Sequence, residues 1–140
     1  MDKKIIRNRT WNESYMLHIP IIDQQHEVLF DIYDEILELK ETGKNYRDGS
    51  MNDILQKLNT FLKTHFKTEE ELMEKAHFPD LLEHQQEHKL FTNKIATFIF
   101  EYQYNNPFLL DNMVLFLKKW LVSHIMASDT AYKDSVQAIL

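Results

Sequence analysis

The stretch that decides the fold spans residues 65–73 and reads HFKTEEELM. His65 lies four residues after Phe61 and seven before Leu72, and both spacings return to the same face of an α-helix. Glu69 follows His65 by one helical turn and shares that face. An apolar stripe that includes an imidazole and a carboxylate predicts a helix that carries polar donors into the core.

The same helical periodicity recurs in three other stretches, and the Gly and Pro residues fall almost wholly between them. The chain has 140 residues, of which 44% are apolar, with two Gly and three Pro. So few turn-forming residues argue against a many-stranded β fold, and this length suits one core. The sequence therefore predicts an all-α protein, an up-down-up-down antiparallel four-helix bundle.

One domain is expected over residues 1–140, with an irregular N-terminal arm over about 1–18 and a short C-terminal tail. Pro20 can open the first helix, because the first turn needs no N–H from that position. We expect Ser50 to cap the second helix, with Asp53 completing an approximate capping box. The helices are expected at about 19–42, 50–77, 80–105 and 107–128.

Charge and composition argue against several classes of protein. The 16 basic residues are scattered among 22 acidic ones, which speaks against a nucleic-acid binder. There is no cysteine, and no catalytic triad or phosphate-binding glycine loop is visible. The N-terminus lacks a signal-peptide core, and no apolar run approaches the roughly 18–20 residues that span a bilayer. We therefore expect a cytoplasmic protein that binds neither membrane nor nucleic acid.

Five of the seven histidines fall on predicted inward faces. His26 lies on the first helix, His65 on the second, His84 and His88 on the third, and His124 on the fourth. A single inward histidine is more often a hydrogen-bonded core residue than a ligand. Five unpaired imidazoles would cost on the order of 1–3 kcal/mol each, so a shared metal centre explains them better.

The number and type of these donors predict two metal ions. A structural zinc ion takes about four ligands, and five imidazoles together with Glu69 exceed that number. Imidazole mixed with carboxylate suits iron, manganese or zinc, whereas calcium and magnesium prefer oxygen donors. The residues alone leave the choice among the first three metals open.

The motifs resemble those of the hemerythrin family, specifically the bacterial hemerythrins, over most of the chain. Each predicted helix carries one motif, in the order H, HxxxE, HxxxH and HxxxxD. The matching segments are Trp11-Asn12, IDQQH at 22–26, residues 65–73, Phe78-Pro79, HQQEH at 84–88 and WLVSHIMASD at 120–129. An HxxxH motif alone is a weak signal, but the ordered set is specific.

The resemblance implies a non-haem di-iron centre with an oxo or hydroxo bridge. The histidines of the third and fourth helices would hold one iron, those of the first and second helices the other, and two carboxylates would bridge both. The implied metal ligands are His26, His65, Glu69, His84, His88, His124 and Asp129. One iron would then have six ligands and the other five, which leaves one position for dioxygen.

Asp129 joins this set through the resemblance and not through helical geometry. Five residues along a regular α-helix turn about 500°, which places Asp129 some 140° from His124 around the axis. Asp129 could reach the site only if the helix loosened or ended after His124, for example through a π-bulge.

The resemblance implies reversible dioxygen binding, for storage, delivery or scavenging, by a protein that is not an enzyme. Dioxygen is the expected partner and an electron donor a further candidate, while the oligomeric state stays open. A di-iron oxygen or redox sensor is a competing interpretation, although such sensors are usually fused to a signalling domain and this chain ends at Leu140. The motifs are also compatible with an enzyme that consumes peroxide or nitric oxide, and the helical pattern with a metal-free interaction module.

Four residues outside the ligand set carry predictions of their own. His18 lies in the arm, where bacterial hemerythrins usually carry glycine. It is either a surface residue or lies near the site and tunes oxidation or proton access. His77 is expected at the end of the second helix, where a cation favours the negative pole. Glu70 and Glu71 flank the predicted ligand of their helix and are expected to face solvent.

Overall fold

A computed structural model describes residues 10–42 and 49–140, and this part of the chain is helical, without a strand. A 3-10 turn at Glu13–Tyr15 precedes the helices. A π-helical segment, His124–Asp129, joins the last two helices. The α-helices are α1 (Pro20–Thr42), α2 (Ser50–Lys75), α3 (Leu81–Gln103), α4 (Leu109–Ser123) and α5 (Thr130–Gln137). The predictions for residues 1–9 and 43–48 lie outside the described residues.

Helices α1 to α4 form the predicted bundle. Each packs against the next helix in the chain, and α1 also packs against α4, which closes the bundle as an up-down-up-down arrangement requires. The inward stripes form one apolar core, in which Ile36, Leu58, Phe98 and Leu117 are buried. The all-α four-helix bundle is therefore confirmed. Among the described residues, no helix has both the length and the apolar character needed to cross a bilayer.

The chain after the fourth helix differs from the predicted short tail, because it continues as α5. Tyr132 and Val136 lie one turn apart on α5 and are fully buried. They pack in a second apolar cluster with Leu17 and Ile19 of the arm. The side chain of Gln137 donates a 3.0 Å hydrogen bond to the Leu17 carbonyl. The arm and α5 therefore form a small second core together with Ile22 of α1 and Met73 of α2.

Both ends of α2 depend on a left-handed backbone. Gly49, with φ of 107°, precedes α2, so the predicted cap at Ser50 is wrong by one residue. Glycine adopts this conformation without a Cβ clash. At the other end of α2, His77 has φ of 55° and the Phe78 amide donates to the Met73 carbonyl at 2.9 Å. This Schellman-type turn ends the α-helix at Lys75, two residues before the predicted end.

Candidate metal centre

The seven residues expected as ligands lie together inside the bundle. They come from α1, α2, α3 and the π-helical segment, and each is at most 3% exposed. They are His26, His65, Glu69, His84, His88, His124 and Asp129. The prediction that these five histidines point into the bundle is therefore confirmed.

Asp129 reaches the cluster because the helix loosens after His124. Hydrogen bonds of a π-helix join residues five apart, which brings Asp129 over His124. The Thr130 hydroxyl donates to the Ile125 carbonyl at 3.0 Å. The Ser128 hydroxyl donates to the α3 residue Glu87 at 2.7 Å. The π-bulge considered from the sequence is present.

The donor atoms form two groups that share Glu69, and within each group they lie within 4.8 Å of one another. In the first group, the Nε2 atoms of His84, His88 and His124 lie 3.9, 3.0 and 3.6 Å from Oε1 of Glu69. The second group contains His26, His65, Glu69 and Asp129.

Asp129 lies between the two groups, with one oxygen directed to each. Its Oδ2 lies 2.8 Å from Nε2 of His26. Its Oδ1 lies 2.8 Å from Nε2 of His124 and 3.0 Å from Nε2 of His84. Asp129 therefore links the two groups of donor atoms.

Whether these residues fit metal ions can be judged from the hydrogen bonds that their nitrogen and oxygen atoms make. All five histidine Nε2 atoms, Oε1 of Glu69 and both oxygens of Asp129 are buried without a hydrogen-bond partner. The shortest N···O separations are 2.8–3.0 Å, yet these pairs lack the angles of hydrogen bonds. Two ligands at right angles, each about 2.1 Å from one ion, lie about 3 Å apart. The residues therefore fit a shared cation centre.

The electrostatics also favour cations. Burial would lower the pKa of His26 and of His84, but the nearby carboxylates of Asp129 and Glu69 raise both to about 9. Burial lowers the pKa of His65 to about 4, and Glu69 opposes this only in part. Burial would raise the pKa of Glu69 and of Asp129, but the surrounding histidines hold both below their usual range. Two ionised carboxylates therefore lie in an enclosed site.

Three of the histidines have a hydrogen-bond partner at Nδ1, the ring nitrogen that does not face the other donor atoms. Glu70 lies 2.6 Å from Nδ1 of His88, Glu87 lies 3.1 Å from Nδ1 of His124, and Gln25 lies 2.7 Å from Nδ1 of His65. The Glu70 side chain is half-buried, at 29% exposed, so its solvent-facing prediction holds only in part, whereas Glu71 is exposed as expected.

Helical periodicity predicts neither these partners nor Tyr132, whose hydroxyl donates to Oε2 of Glu69 at 2.7 Å. Glu70, Glu87 and Gln25 each neighbour a ligand along the chain but support a ligand of another helix. Helical periodicity does not show which residue of another helix a side chain contacts.

Aromatic rings lie against three of the imidazoles. The ring of Phe66 stacks on His88 with centroids 3.8 Å apart, and that of Trp120 stacks on His124 at 4.4 Å. Phe61 is parallel to His65 at 6.4 Å. These rings limit the directions from which water reaches the donors.

His18 and His77 lie outside the cluster and are exposed. His18 borders a surface cavity of about 410 Å³ that Trp11 and Asp23 also line. The arm folds against the bundle, but the positive φ of 60° at His18 belongs to a turn that leaves its ring at the surface.

Comparison with known proteins agrees with this geometry. Residues 17–134 match the family model described as the hemerythrin HHE cation binding domain. The chain is 28% identical over 130 residues to the bacteriohemerythrin of Stenotrophomonas maltophilia, covering 93% of this chain and 82% of the relative. It is 30% identical over 127 residues to the bacteriohemerythrin of Clostridium acetobutylicum, covering 89% and 98%. It is 30% identical over 126 residues to the myohemerythrin of Riftia pachyptila, covering 90% and 92%. With its helical bundle and its buried cluster of imidazoles and carboxylates, this chain belongs to the hemerythrin family.

Proposed function

We propose that this protein binds dioxygen reversibly at a pair of non-haem iron ions held by the seven clustered residues. The observation that carries the proposal is the set of buried donor atoms without another partner. Five imidazole nitrogens and three carboxylate oxygens would each be costly to leave unpaired, and two cations would satisfy them together.

In this proposal the two donor groups hold one ion each. The histidines of α3 and the π-helical segment would hold the first ion and His26 and His65 the second, with Glu69 and Asp129 available to both. The second group has one histidine fewer, so it would leave room for a small ligand. When bound, the iron pair supplies the electrons and the coordination position that dioxygen binding needs.

The protein's own contribution is to orient the donors and to exclude water. Phe66 stacks on His88 and Trp120 stacks on His124, and these contacts hold both imidazoles in place. The Tyr132 hydroxyl orients Glu69 from behind. Burial makes every electrostatic contact inside the site stronger than it would be in water.

The ligand chemistry favours binding of dioxygen over oxygenation of a substrate. Carboxylate-rich di-iron bundles use a Glu from each of two helices and a Glu-x-x-His motif from each of the others. This site instead offers five imidazoles and two carboxylates. Neutral imidazoles stabilise highly charged iron less well than carboxylates do, which suits reversible binding.

The test is to load the full chain with iron(II) under argon and to measure iron and the optical spectrum. We expect about two irons per chain, one for each donor group. A visible absorption band should appear in air, disappear under argon and return over repeated cycles. A chain that retains no iron contradicts the proposal. Steady consumption of dioxygen, peroxide or nitric oxide with a reductant would instead indicate an enzyme.

A further inference from the structure

Two of the three histidines of the first donor group, His88 and His124, are supported by carboxylates. Oε2 of Glu70 lies 2.6 Å from Nδ1 of His88, and Oε1 of Glu87 lies 3.1 Å from Nδ1 of His124. An ionised carboxylate only accepts hydrogen bonds, so Nδ1 is the donor in each pair. The tautomer with its proton on Nδ1 leaves the Nε2 lone pair free for a cation.

The second donor group lacks such support. His65 donates from Nδ1 to Oε1 of Gln25 at 2.7 Å, and Nδ1 of His26 is buried without a hydrogen-bond partner. The orientation of the Gln25 amide follows from its other contact. The Thr68 hydroxyl donates to the Thr64 carbonyl at 2.9 Å, so its oxygen accepts from Nε2 of Gln25 at 3.2 Å. A neutral amide oxygen therefore faces His65.

This difference changes how strongly each imidazole donates to a metal. A hydrogen bond to a carboxylate is roughly twice as strong as one between neutral groups. It fixes the ring and makes the opposite nitrogen a better donor, and loss of such a partner typically costs about 10–100-fold in metal affinity. Two imidazoles of the first group have this support, and neither imidazole of the second group has it.

We propose that these partners give the two metal positions different affinities, so that the ion held by His26 and His65 is released first. Glu70 and Glu87 are positioning residues that retain the other ion through His88 and His124. This inference rests on the proposed di-iron function and adds which of the two ions is exchangeable. The unequal number of histidines would favour the same order of release. The test must therefore change the charge of the residue that contacts Nδ1 without changing the number of metal ligands.

The experiment follows the release of iron(II) from the loaded full chain to excess chelator under argon. The wild-type chain should lose one ion per chain quickly and the other at least about tenfold more slowly. Glu70→Gln keeps an acceptor for His88 but removes the charge, and it should accelerate only the slow phase, by roughly 10–100-fold. Gln25→Glu adds a charge behind His65 and should slow only the fast phase.

Glu71→Gln is the matched control, because Glu71 is an exposed neighbour on the same helix. It should alter neither phase. If Gln25→Glu does not fold, as judged by circular dichroism, Glu70→Gln and Glu87→Gln decide the question between them. Release of both ions in a single phase overturns the inference. So does a Glu70→Gln chain that matches the control or accelerates only the fast phase. Fewer than two ions before chelation would contradict the proposed function, and the inference with it.

Discussion

Tyr132 and Glu69 lie 63 positions apart in the chain, and the Tyr132 hydroxyl donates a 2.7 Å hydrogen bond to Oε2 of Glu69. Both side chains are fully buried. Burial, together with the charge of Glu69, raises the pKa of Tyr132 well above its usual value, so the phenol keeps its proton and remains a donor. Helix α5 therefore contributes directly to the orientation of a carboxylate that both donor groups share.

Replacement of Tyr132 by phenylalanine should destabilise the folded protein without emptying the site. The change leaves a buried carboxylate oxygen without its donor, which costs about 1–3 kcal/mol. Urea unfolding of the iron-loaded chain measures the free energy of unfolding, and metal analysis measures the iron. Tyr104→Phe is the control, because Tyr104 is 71% exposed and should behave as wild type. Equal unfolding midpoints for the two variants would contradict this role of Tyr132.

Removal of a ligand from one group should affect iron content differently from removal of the shared carboxylate. His65→Ala should retain at most about one iron per chain, because His65 belongs only to the second group. Glu69→Ala should lose iron from both groups, since Glu69 belongs to both. Iron is measured after desalting, with exposed His77→Ala as the control. Full retention of both irons in either variant would refute the ligand assignment.

Glycine at two surface histidines should stabilise the protein. His18 and His77 have φ of 60° and 55°, a conformation that costs a residue with a Cβ about 1–2 kcal/mol. Glycine removes this cost but adds about 0.5–1 kcal/mol of unfolded-state entropy. His18→Gly and His77→Gly should each gain about 0.5–1 kcal/mol in urea unfolding.

Asn105→Gly is the comparison for these two variants. Asn105 has φ of 59°, and asparagine tolerates this region better than histidine does, so its gain should be smaller. A loss of stability in His18→Gly would indicate that the His18 ring makes a contact worth more than the backbone cost.

Metal binding to the metal-free protein should release protons at pH 7. Carboxylates raise the pKa of His26 and of His84 to about 9 against the opposing effect of burial, and they raise the pKa of His124 well above its usual value. These imidazoles are therefore protonated at pH 7 and must lose a proton to bind a metal. Affinity should rise as the pH increases toward about 9.

Calorimetric titration with zinc(II) in two buffers of different ionisation enthalpy counts these protons. We expect up to three, one from each histidine whose pKa is raised. His65 should contribute none, because burial lowers its pKa to about 4. Identical binding enthalpies in both buffers would mean that no proton is released.

Helical periodicity was enough to find most of the candidate centre. The seven-residue spacing between His65 and Leu72 and the four-residue spacing between His84 and His88 each define a face, and those faces are buried. Asp129 did not follow from this rule, because its position depends on a local loosening of the helix. Periodicity assigns Glu70 to solvent, because it shows which way a side chain leaves its own helix but not which residue of another helix it contacts.

The sequence by itself determined the number of bundle helices, their inward faces and the histidines that converge between them. Those features follow from side chains at fixed spacings along a regular helix, which local geometry dictates. Only the tertiary structure decided that α5 and the arm form a second core, that Tyr132 reaches Glu69, and which residue lies behind each imidazole. These contacts join segments distant in the chain, and their partners depend on how whole helices pack and rotate against one another.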